Sequence, residues 1–219
     1  MKRENDHGFI YIVLIKAHTG LGKISRTITG YEYSHIAVSL DPGLQRFVSF
    51  SRRSHFTPFD AGFTYEYRDS YAYGRHQRVQ VKVFKIPVPA ERLAVIRNYL
   101  AGLEADDDYL FNLYAMMTMP LLHGFKVDKT HNCMTFTARL IELSAVVKLA
   151  KPYWKYSILE LDQLLADYFV YEGYLQKKGT DHPEYMKRPD LLTEVGHFLR
   201  LNVRLCKRML GKGKRYGER

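Results

Sequence analysis

The chain has 219 residues, 46% of them apolar, which is enough to bury a full core and fits one domain with accessories better than two independent domains. Its two cysteines, Cys133 and Cys206, are too few for a disulfide framework, and no apolar run approaches the roughly 20 residues that a membrane-spanning helix needs. The formal charge of +10 raises nucleic acid as a partner, yet ten basic residues fall between 187 and 219 against Asp190, Glu194 and Glu218, so much of the excess belongs to the tail. Nucleic acid is therefore not the expected partner. The start, Met1 to Gly8, mixes Lys2 and Arg3 with acids and is not followed by a small-residue cleavage site, so a signal peptide is not expected and the expected location is the cytoplasm.

Phe9 to Ile15 is rich in β-branched and aromatic residues and predicts a buried first strand, followed by a loop at His18-Thr19-Gly20-Leu21-Gly22. Tyr33 to Leu40 predicts a second strand. The turn Asp41-Pro42-Gly43 joins it to a third, Arg46 to Ser51, in an antiparallel hairpin. Residues 52 to 77 carry seven Tyr or Phe side chains and Pro58, Gly62 and Gly74 without a sustained period, and read as a long aromatic connection able to cover a site. Val79, Val81 and Val83 alternate with Gln80 and Lys82 in a fourth strand, Arg78 to Ile86, ended by Pro87 and Pro89.

Helical spacing follows over Ala90 to Glu104 and again over Tyr109 to Leu122. Asp106, Asp107 and Asp108 precede the second of these, where capping and the helix dipole explain them better than a bound cation. Phe136, Leu140, Leu143 and Val147 form one stripe of a helix from Cys133 to Ala150. Ser157 and Glu160 have the spacing of a capping box, with Leu161, Leu164 and Leu165 continuing that helix, and an aromatic strand is expected from Tyr168 to Tyr174. The last helix, His197 to Leu210, has Phe198, Leu201, Leu205 and Met209 on one face. It can pack that face on the domain or dip it into an anionic membrane surface, which makes a peripheral membrane position the one alternative to a purely cytoplasmic one.

A thiol attacks as its anion, and a free cysteine near pKa 8.5 is only a few per cent ionised at neutral pH. A helix N-terminus and a neighbouring imidazole both favour the anion. Cys133 follows the N-cap residue Asn132, and among nine histidines His35 is the best-placed base, because it sits inside an apolar strand. His131 is near the cysteine in sequence and could add positive charge. No cofactor is expected: His18 to Lys23 lacks the spacing of a phosphate loop, and no Cys/His cluster has the spacing of a metal site.

Tyr33-Ser34-His35-Ile36-Ala37-Val38 and Asn132-Cys133-Met134-Thr135-Phe136 resemble the two signatures of circularly permuted papain-like proteins, in which the histidine precedes the cysteine. That group includes permuted NlpC-type peptidases and lecithin:retinol acyltransferase-like enzymes. The resemblance implies an α+β fold, with an antiparallel sheet packed on a helix headed by Cys133. It also implies a cysteine hydrolase or acyltransferase that acts on an amide or ester through a thioester. Residues 1–178 would form the permuted papain-like catalytic domain and 179–219 a basic helical C-terminal extension. A third polar group should lie on the strand after the histidine strand. Residues 46–51 offer no acid, amide or second histidine there, so Ser49, with Ser51 next, is the expected third member. The weakness of serine in that role leaves a second reading, a binding module of the same fold that has lost the chemistry and holds an anionic partner.

Overall fold

A computed structural model describes residues 7–73, 76–179 and 183–210. The basic tail residues Lys212, Lys214, Arg215 and Arg219 and the charged start lie outside the described residues. In chain order the elements are β1 (His7–Ile15), α1 (Gly20–Thr29), β2 (His35–Ser39), β3 (Arg46–Arg52), β4 (Ala61–Tyr67), α2 (Arg68–Tyr71), β5 (Arg78–Pro89) and α3 (Ala90–Glu104). There follow β6 (Leu110–Phe111), α4 (Leu113–Met117), α5 (Met119–Leu122), β7 (Thr130–His131), α6 (Cys133–Ser144), α7 (Ile158–Leu164), β8 (Phe169–Gln176) and α8 (Leu191–Leu210). The fold is α+β: six antiparallel strands in the order β4-β3-β2-β1-β5-β8, with β6 and β7 as a small parallel pair.

The alternation of a strand's side chains divides the core into two layers. Ile10, Ile12 and Leu14 of β1 join Ile36, Val38, Phe50, Phe84 and Ile86 against Ile96 and Leu100 of α3, Phe136 and Leu140 of α6 and Leu161 of α7. Val13 and Ile15 point the other way and meet Ala37, Phe47, Tyr71, Val79, Val81 and Val83. With both faces covered, β1 is apolar throughout its second half, and each such side chain stabilises the fold by about 1.5–3 kcal/mol on burial.

Several elements differ from the sequence expectation. The glycine-containing loop after β1 is the helix α1, because the Thr19 side chain accepts from Gly22 N (3.0 Å) at one end and Gly30, at φ 63°, closes the other. The aromatic connection contains β4 and α2. β5 runs through Pro87 to Pro89: Gln80 O accepts from Lys16 N, so even-numbered residues face β1, while both prolines face the side on which β8 pairs only as far as Phe84. Their missing N–H groups therefore cost no ladder bond. The expected helix from Tyr109 is broken, since Leu110 and Phe111 pair with Thr130 and His131, and the Asn112 side chain starts α4 by accepting from Ala115 N (3.0 Å). The Asp106–Asp108 run heads no helix. Asp106 accepts from Asp108 N and pairs with Lys129 at 2.9 Å, and Asp108 meets Arg204 of α8 at 3.1 Å.

α6 stops at Ala145, which takes a left-handed φ of 56°, although Val147 beyond it remains buried. α8 begins earlier than expected, at Leu191, because the Asp190 carboxylate accepts from the backbone (2.9 Å) and hydroxyl (2.8 Å) of Thr193. It packs on the domain through Leu201 and Leu205 against Leu110.

Candidate active site

α6 begins at Cys133 and is capped reciprocally: Asn132 Oδ1 accepts from Thr135 N (2.9 Å), and Thr135 Oγ1 accepts from Asn132 N (2.9 Å). The first backbone bond of this turn is Phe136 N to Asn132 O (3.0 Å), so the Cys133 and Met134 amides precede the helical ladder and give the thiol a positive helix end. The cysteine is 6% exposed. Beside it Asn132 is fully buried, and its Nδ2 has no protein partner.

His35 opens β2, which packs against α6. The Cys133 thiol lies near enough to its ring to be among the groups that raise its pKa. On the other side, His35 Nε2 lies 2.8 Å from Glu66 Oε2, in a pair with both side chains largely removed from solvent. Since Nε2 is engaged by Glu66, Nδ1 is the ring nitrogen left for the sulfur. Glu66 is further held by Ser51, whose Oγ donates to Oε1 (2.7 Å), and by Tyr71, whose hydroxyl donates to Oε2 (2.8 Å). The order of contacts is thus thiol, imidazole and carboxylate, with two hydroxyls fixing the carboxylate.

The electrostatics follow from burial and these partners. Burial by itself would push the His35 imidazole down, but the Glu66 charge and the Cys133 thiol outweigh it and raise it to about 10. Burial pushes the Glu66 carboxyl up, and His35, Ser51 and Tyr71 together bring it below the ordinary carboxylate value. Tyr71 is raised well above a free phenol by burial and by the Glu66 charge, so it remains a donor. The site therefore favours an imidazolium clamped between an anionic oxygen and a sulfur.

Ser49 does not take the third position. Its Oγ is buried and donates to Ile36 O (3.3 Å), so the hydroxyl is spent on the neighbouring strand and does not reach the ring. Ser51, the next alternative, acts on Glu66 instead of on His35. The acceptor comes one strand later, on β4, within the segment expected to be a loop. Its signal in the sequence was the alternation Phe63-Thr64-Tyr65-Glu66-Tyr67, which places an acid on the face opposite three aromatic rings. His131 contributes no charge: burial, with Arg139 and Lys126 nearby, lowers it to about 3. Its Nε2 shares a hydrogen bond with the Tyr99 hydroxyl (2.8 Å), and its ring stacks with that of Tyr109. Cys133 and Cys206 are both free thiols, and Cys206 is exposed on α8. Among the described residues no group of three or more His, Cys, Asp or Glu side chains could hold a metal.

Comparison with known proteins brings no relative to bear on this site. No family model, curated protein or solved structure matches the chain.

Proposed function

We propose that the chain is a cysteine hydrolase or acyltransferase of the permuted papain-like kind, acting on an amide or ester through a thioester at Cys133. The observation that carries this reading is the buried His35 ring bound to Glu66 at 2.8 Å, with the Cys133 thiol among the groups that raise it. This histidine has an acid on one nitrogen and, among the groups acting on its ring, a thiol that heads a helix, which are the parts nucleophilic catalysis requires.

In this mechanism His35 holds the thiol proton, and the sulfur attacks the substrate carbonyl carbon, forming a C–S bond as the carbonyl electrons move onto oxygen. The Cys133 amide, which precedes the helical ladder, would donate to that oxyanion. Collapse restores the carbonyl and breaks the bond to the leaving amine or alkoxide, which takes the proton from His35. His35 then accepts a proton from water, or from an acceptor alcohol or amine. That nucleophile attacks the thioester and releases Cys133. Glu66 keeps the imidazole in one tautomer and orientation and offsets its charge. The non-catalytic reading leans on a missing third group, and the Glu66–His35 pair weighs against it.

The test is acylation by an activated ester. Intact-mass analysis after brief exposure to p-nitrophenyl acetate should show one acyl group, sensitive to hydroxylamine and mapping to Cys133. It should be absent in Cys133→Ala and slower by about 10²–10⁴-fold in His35→Ala. A Cys133 acylated no faster than Cys206, and at the same rate with or without His35, would sink the proposal.

A further inference from the structure

Helix α8 is apolar on two opposite faces. One, Leu201 and Leu205, is buried against the domain, and Arg204 and Arg208 fasten it to Asp108 and to backbone oxygens around it. At 3.6 residues per turn, Leu192, Val195, Leu199, Val203 and Leu210 fall together on the opposite side, 45% to 83% exposed. A helix with only one partner needs one apolar stripe. The second points into solvent.

Arg200 and Lys207, both exposed, project along one margin of that stripe. On the other side α4 adjoins the helix through the hydrogen bond between Tyr114 and Asn202, and α4 and α5 carry the exposed side chains Met117, Leu121 and Leu122. None of the described helices is long and apolar enough to cross a bilayer. A 20-residue helix with an outward apolar stripe, a cationic margin and a chain of net charge +10 has the features of one that lies in the plane of an anionic interface. A second copy fits less well, because an antiparallel symmetric pairing through the stripe brings the cationic margins of the two helices together.

We infer that the outward stripe of α8, bordered by Arg200 and Lys207, is a docking surface for an anionic lipid bilayer. It lies opposite Leu201 and Leu205, the buried part of the stripe that the sequence left either to the domain or to lipid, and it does not depend on the chemistry at Cys133.

The full chain should cosediment with vesicles of 70% phosphatidylcholine and 30% phosphatidylserine, and much less with phosphatidylcholine alone. Leu199→Glu with Val203→Glu, or the milder Leu199→Gln with Val203→Gln, should abolish or strongly reduce binding while leaving the thermal melt unchanged, since both sites face solvent. Arg200→Gln with Lys207→Gln should weaken binding to the anionic vesicles by about 20- to 30-fold, roughly fivefold for each charge. No binding to anionic vesicles would overturn the inference, as would binding that the stripe variants leave intact. So would a stripe-dependent dimer in light scattering without vesicle binding, which would assign the face to a second copy. No substrate enters these measurements, so their failure is separate from failure of the acylation test.

Discussion

Glu66 is buried and charged, and it is tolerable there because its two oxygens meet Ser51, Tyr71 and His35. The pair has a definite pH signature. His35 is raised above its unfolded value, so its contribution to stability is complete below about pH 6.5 and is lost as the pH climbs towards about 10. Glu66 is lowered, so its contribution is present above its unfolded value near 4.5 and is lost as the pH falls through the lower folded value. Urea midpoints should therefore be highest between about pH 4.5 and 6.5 as far as this pair is concerned, and should decline on the alkaline side. In Glu66→Gln the alkaline decline should shrink, because the Glu66 charge is the largest of the effects that raise the imidazole. The same substitution should slow Cys133 acylation by about 10- to 100-fold, while Ser49→Ala leaves the rate within about twofold. An alkaline decline that is undiminished in Glu66→Gln would show that other groups carry it. At this scale the helix-start cysteine and the strand histidine were legible from local context, but their third partner was not. Which residue reaches His35 depends on where β4 lies, and its strand pattern is short and embedded in aromatic residues.

Elements were legible where a single period or a complete cap governs them. β1, the β2–β3 hairpin, α3 and the Ser157 box all follow from local sequence, and their bounds differ from expectation by a few residues. They were misread where a side chain or a tertiary pairing overrides the period. Asn112 and the pairing of β6 with β7 split one expected helix, and the end of β8 is what lets prolines stay in β5. The cap of α6 is legible and consequential. Asn132→Ala removes the acceptor for Thr135 N and should cost about 1 kcal/mol in denaturant unfolding, within the usual range for such caps. Because the cap fixes the turn that presents the thiol, it should also lower the Cys133 acylation rate at temperatures where the variant is fully folded. A loss of stability with an unchanged rate would mean that the cap holds the helix but does not place the nucleophile.

At the scale of the whole molecule, basic composition and an amphipathic C-terminal stretch left two fates open for one apolar face, and only the folded chain separates them. The inner face of α8 is committed to the domain, because Arg204 and Arg208 reach Asp108 and the backbone of 107, 128 and 129, oxygens assembled by the turns that flank β6 and β7. That contact is small. Its buried cluster is Leu110, Leu201 and Leu205, and exposed ion pairs of the Arg204–Asp108 type add only a few tenths of a kcal/mol to about 1 kcal/mol each. Leu205 is 0% exposed, and Leu205→Ala should remove about 2–5 kcal/mol by truncation and cavity formation. Such a loss is concentrated on the contact that holds α8, so α8 should open locally more often while the six-stranded sheet stays folded. Hydrogen exchange should then accelerate over 191–210 and stay protected in β1 and β5, with acylation of Cys133 retained. Uniform deprotection of helix and sheet together would instead make α8 part of the cooperative core, and the boundary between residues 1–178 and the extension would lose its physical meaning.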